Sequence, residues 1–156
     1  MSRYAAGTSV SSEASRNEIE RTLRRFGATE FAYGWQAGHA AVGFVIGGRQ
    51  VRFVLQMPDR NAREFTHTPT RGTRRSPAEA EKAYEQAVRQ RWRALAAVIK
   101  AKLVAVSEGI VTIEEEFLAH FVLPSGATVA DEFIPRLDAA IAGQATMPAL
   151  LPGRSE

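Results

Sequence analysis

The sequence predicts an α+β fold: a three-stranded antiparallel meander covered by one long helix, preceded by a short helix and followed by short acidic helices. Between Glu30 and Met57, apolar residues alternate in three runs separated by Ala37-Gly38 and Gly47-Gly48, the period and turn chemistry of β-hairpins. From Ser76 to Gly109 the apolar spacing becomes helical, with a start signal at one end and a glycine at the other. Three strands with one apolar face do not hold together alone in water, so the long helix is assigned as their covering layer.

Residues 1–14 are mostly small and polar and read as a flexible lead-in, residues 15–142 as a single domain, and residues 143–156 as an irregular tail. The first helix is expected from Ser15, which has capping-box spacing to Glu18. Ile19, Leu23 and Phe26 form its apolar side, Arg21, Arg24 and Arg25 lie on the other, and Gly27 stops it. The strands carry Phe31, Tyr33 and Trp35, then Val42, Phe44 and Ile46, then Val51, Phe53, Leu55 and Met57. Pro58 ends the third, and residues 59–76, with no period and many arginines, read as an exposed mobile loop. Ser76-Pro77-Ala78-Glu79 combines a cap, an N1 proline and a capping-box glutamate. It opens a helix whose stripe is Tyr84, Val88, Trp92, Leu95, Ile99, Leu103 and Val106. Thr112 with Glu115 caps a helix carrying Phe117, Leu118 and Phe121, which Pro124-Ser125-Gly126 breaks. Thr128 opens a further segment through Phe133, where Pro135 either kinks it or begins a last helix to Ala142.

Composition excludes several function classes. At 156 residues, 45% apolar and 24% charged, the chain matches one globular domain rather than a disordered one. With no cysteine it has no disulfide framework, thiolate metal site or cysteine nucleophile. No run approaches the ~20 apolar residues of a membrane span, and the first residues lack a signal-peptide core, so the expectation is a cytoplasmic protein with no membrane partner. His39, His67 and His120 stand apart without metal-ligand spacing, and the successive Glu114, Glu115 and Glu116 point in different directions on a helix. No nucleotide-binding or hydrolase fingerprint is present. The sequence therefore predicts no metal, no cofactor and no catalytic residue. An enzyme acting on a phosphorylated substrate with His67 as acid or base is the minor alternative.

Charge is the informative feature. Residues 1–107 carry eighteen Lys/Arg against nine Asp/Glu, whereas residues 108–156 carry two against eight, so the chain is +9 in one part and −6 in the other. Arginine outnumbers lysine seventeen to three, a ratio that suits phosphate recognition but also follows from GC-rich codon usage. The loop holds Arg60, Arg63, Arg71, Arg74 and Arg75 among threonines, with Glu64 as the acid between them. On the long helix Lys82, Arg89, Arg93 and Lys100 fall within a sector of about 40° at 100° per residue, beside the apolar stripe. Tyr33 and Trp35, among strand aromatics that otherwise read as core, could stack single-stranded bases. These residues together predict a non-enzymatic protein that binds DNA or RNA through mainly electrostatic phosphate contacts. A small protein-interaction module, such as a phage-encoded inhibitor or an accessory subunit of a nucleic-acid enzyme, is the alternative. Self-association through the acidic end, giving a homo-oligomer, stays open.

The run from Glu18-Ile19-Glu20-Arg21-Thr22-Leu23 through Glu81-Lys82-Ala83-Tyr84-Glu85-Gln86-Ala87 to the Met147 tail resembles uncharacterised small proteins of high-GC bacteria and their phages. The order helix, three-stranded meander, long helix is similar to the core of Rad52-type single-strand annealing proteins. That likeness is one of topology, carries no residue roles, and implies a nucleic-acid partner.

Overall fold

The computed structural model describes residues 3–144, 146 and 148–151, with side chains from Ser12 onward. Helix α1 (Arg3–Arg25) precedes strands β1 (Glu30–Gln36), β2 (His39–Ile46) and β3 (Arg49–Gln56). The helical turn α2 (Arg63–Thr66), the long helix α3 (Pro77–Ser107), the short α4 (Ile113–Phe117) and α5 (Val129–Ala142) follow. The helix expected from Ser15 begins at Arg3 instead, and Ser12 is buried like Ile19 and Leu23 further along it. Ser15 and Glu18 thus lie inside a continuous helix. A local cap pair competes with propagation, and alanine and serine upstream allow propagation to win. The stop at Gly27 is as expected: at φ +94° it lets Ala28 N–H reach the Leu23 carbonyl at 2.9 Å and Gly27 N–H reach that of Arg24 at 3.2 Å, a Schellman closure.

The sheet is antiparallel in the order β1-β2-β3. Phe31, Phe44 and Val51 align across it, as do Tyr33, Val42 and Phe53. Alternation puts Ala40, Val42, Phe44 and Ile46 of β2, with Val51 and Phe53 of β3, in the core. Two helices share the covering role assigned above to one. Ile19 and Leu23 of α1 join Val88, Trp92, Leu95, Ala96, Ile99 and Leu103 of α3 in the same buried cluster. Phe117 closes the cluster from α4, its ring edge-on to Phe44 at 6.0 Å and to Phe53 at 6.3 Å.

The ends of α3 are those read from sequence. Ser76 Oγ accepts from Glu79 N–H at 3.2 Å and the Glu79 carboxylate accepts from Ser76 N–H at 3.4 Å, with Pro77 at the first helical position. At the other end Gly109 takes φ +73° and Ile110 N–H bonds the Ala105 carbonyl at 3.0 Å. Downstream, α4 is shorter than its apolar spacing suggests. It passes into a 3-10 turn at Leu118–His120, after which Phe121 pairs with Val51 and Val122 N–H bonds the Gln50 carbonyl at 2.9 Å. This segment seals part of the β3 edge, a backbone requirement that overrides a helical pattern. Thr128 and Asp131 form the capping box of α5, which continues through Pro135 as one helix to Ala142. Of the tail segment Met147 to Pro152, the two end residues lie outside the described residues. Among the described residues no helix is long and apolar enough to cross a membrane.

His120 stacks on the Phe53 ring at 4.0 Å. Burial first, and the Lys102 ammonium second, hold its pKa below the ordinary histidine value, against an opposing hydrogen bond that the ring donates to the Arg52 backbone. The fold therefore prefers the neutral ring. Stability from this site is complete above the unfolded value of about 6.5, declines as pH falls through it because the unfolded chain takes up the proton first, and stops declining below the folded pKa. The urea midpoint is expected to be lower at pH 5 than at pH 7.5, and His120→Gln should flatten the dependence in that window. Asp131, whose pKa is lowered chiefly by the Thr128 backbone N–H, acts in a separate window, below the ordinary carboxylate value.

Candidate nucleic-acid interface

The site is built on α3, 31 residues long and held on one side by its buried stripe, so side chains on its other sides have fixed spacing. Lys82, Arg89, Arg93 and Lys100 are all exposed. The first and last are about 27 Å apart along the axis at 1.5 Å per residue. The ion pairs among the described residues engage Arg24, Arg49, Arg60 and Lys102 with Glu20, Glu114, Glu81 and Glu116, and none involves the row. Four cations with no carboxylate at pairing distance create a local positive potential that a polyanion can neutralise.

The segment 59–76 is more ordered than its sequence suggests. Phe65, in α2, is buried and meets the Tyr84 ring edge-on at 5.5 Å, which docks the segment on the N-terminal part of α3. Beyond it the chain folds into a small hairpin. His67 bridges Arg74, Thr68 N–H bonds the Thr73 carbonyl and Arg75 N–H that of Thr66, both at 2.8 Å, and Gly72 makes the turn at φ +63°. A four-residue helix with one buried side chain has no period to detect, which is why the sequence reads as loop.

This order divides the five loop arginines. Arg60 pairs with Glu81 at 2.6 Å and lies over the Tyr84 ring at 4.4 Å, bracing the segment to α3. Arg75 donates to the Glu64 carbonyl at 3.2 Å and reaches that of Phe65 at 3.5 Å, closing the end of α2. Both therefore have a structural role within the segment. Arg63, Arg71 and Arg74 are exposed and sit on the segment docked at the start of α3.

The aromatic pair also divides. Tyr33 is half-buried, between the Trp92 ring at 5.3 Å and the Arg16 guanidinium at 4.3 Å. Trp35, two residues along the same face, is 72% exposed. Arg21, Arg24 and Arg25 are exposed on α1, with Arg24 bonded to Glu20 at 2.9 Å. Sequence reasoning missed Arg91, an exposed cation on the opposite flank of α3 from the row, because attention to one sector hides residues outside it.

Among the described residues no group of three or more His, Asp or Glu converges as metal ligands do. His67 has its ring Nδ1 2.8 Å from the Thr66 hydroxyl. A recess lined by Glu20, Leu23, Arg24, Ala28, Thr29, Glu30 and Phe31 measures about 130 Å³, below the roughly 300 Å³ at which small-molecule sites begin. Compared with known protein families, curated proteins and solved structures, the chain matches none.

Proposed function

We propose that the protein binds nucleic acid without catalysing a reaction on it, through phosphate contacts made along α3. The observation that carries this reading is the row Lys82, Arg89, Arg93 and Lys100: exposed, regularly spaced on a rigid helix, and outside every ion pair among the described residues. Arg63, Arg71 and Arg74 add exposed cations near the helix start, and exposed Trp35 supplies an aromatic face of the kind on which an unpaired base stacks. Contacts of this type fix position on a phosphate backbone and carry little sequence information, so binding is weakly sequence-specific.

The test is fluorescence anisotropy with labelled single- and double-stranded DNA and RNA at several salt concentrations. Four to seven phosphate contacts give a slope of log affinity against log salt of about −4 to −6 on duplex DNA. Micromolar or tighter binding at 50 mM salt with such a slope is the expected result. Absence of binding at that salt to all four forms overturns the reading.

A further inference from the structure

Helix α5 has no buried residue along its 14 positions, and its principal contact with the rest of the chain is with the Leu118–His120 turn at its base. Yet it is strongly amphipathic: Phe133, Ile134, Leu137 and Ile141 share one side, each about half exposed. A helix of this length, with a proline inside it, is marginal alone in water, and most of its stability must come from packing of that side. A second unpartnered surface lies on α3. Ala94, Ala97, Val98, Ala101 and Val104 are exposed and together form a stripe of small side chains on the helix side away from the core, at 100° per residue. One surface offers large side chains and the other a shallow recess of small ones, which is the shape match that helix packing needs.

Charge says which chain supplies the partner. Relative to its apolar centre, α5 carries Asp131 and Asp138, seven residues apart, in a row about 95° to one hand. Relative to the small-residue stripe, α3 carries Arg93 and Lys100, also seven residues apart, about 100° to the other hand. Rows on opposite hands meet when two helices run parallel, as flanking positions do in parallel coiled coils. Pairing α5 with α5 leaves two net-negative helices together and both α3 stripes uncovered. We propose that the chain forms a two-fold dimer in which α5 of each copy docks, parallel, on the Ala94–Val104 stripe of α3 in the other, with Asp131 and Asp138 beside Arg93 and Lys100. Such a dimer is isologous and closed. With helices about 21 Å long and about 11 Å across, its two reciprocal contacts cover on the order of 1,000 Å², the lower range of specific interfaces.

The dimer pairs Arg93 and Lys100, which the proposed nucleic-acid surface also uses, so the two compete for these side chains: phosphate contact by the whole row belongs to the monomer, and the dimer is tested without nucleic acid. Sedimentation equilibrium of the full chain is run up to about 100 µM, a range that detects a micromolar dissociation constant, beside Leu137→Asp, Val98→Asp, Asp138→Lys, Lys100→Glu and the last two combined. Circular dichroism verifies that each variant keeps its helices. The expected result is a mass of twice 17.1 kDa. Leu137→Asp and Val98→Asp should each return it to the monomer, each single charge reversal should weaken association at least tenfold, and the double reversal should restore it. A monomer throughout overturns the proposal. So does a dimer broken by Leu137→Asp but indifferent to Val98→Asp, which would be an α5–α5 pair.

Discussion

Trp92→Ala is expected to remove about 3–5 kcal/mol of stability, the usual cost of truncating a fully buried aromatic side chain. Trp92 is 1% exposed, sits mid-way along α3 and packs against Tyr33 of β1 in the cluster that also holds Ile19 and Leu23 of α1. It is therefore where sheet, α1 and α3 share one contact network, and no single element can relax to fill the space it leaves. For a domain whose whole stability is of order 5–15 kcal/mol, the loss is about a fifth or more, equivalent to a fall in Tm of roughly 6–20 °C for a chain of this size. Urea and thermal melts followed by circular dichroism measure it. A loss below about 1 kcal/mol, the scale of an ordinary surface substitution, would place Trp92 outside the core.

Replacing Lys82, Arg89, Arg93 and Lys100 together by glutamine is expected to reduce the magnitude of the salt slope for duplex DNA by about 3.6, and hence to abolish roughly 150-fold of the affinity difference between 50 and 200 mM salt. Glutamine is nearly as good a helix former as the residues it replaces and all four positions are exposed, so the melting temperature should move little. Arg63, Arg71 and Arg74 replaced by glutamine in a second variant measure the hairpin's share of the slope. Arg75 is left intact because it bonds the end of α2. A quadruple variant with an unchanged slope would remove α3 from the interface.

The parts of the fold legible in the sequence are those with strong local chemistry. The β2 alternation, the Ser76-Pro77-Glu79 start and the Gly27 and Gly109 stops each name one backbone geometry that few residues can supply. What could not be read depends on distant residues. Phe121 and Val122 leave the helical run because the β3 edge offers them partners. The candidate site divides in the same way. Spacing on α3 locates the row, since a long helix converts residue number into angle. Which loop arginines brace the fold depends on Glu81, Tyr84 and the carbonyls of Glu64 and Phe65, partners that no local pattern announces. Tyr33 and Trp35 look equivalent in an alternating strand, and what separates them is the packing of Trp92 and Arg16 on the first.

The sharing of the cover between α1 and α3 has a consequence for synthesis. The sheet pairs only sequence neighbours, so all its contacts are local and it can form as soon as β3 has left the ribosome. At that point half of its roof exists, in α1, but Trp92, Ile99 and Leu103 are still to come. Roughly fifty residues separate Met57 from the end of α3, so at ordinary translation rates the apolar face waits about 3–10 s for completion. During that interval the nascent chain presents a half-roofed sheet with β1 and β3 edges open, the species on which chaperones act. Slowing elongation between Pro58 and Ser107 lengthens that exposure, so expression yield should be more sensitive to rare codons there than in the stretch encoding α5.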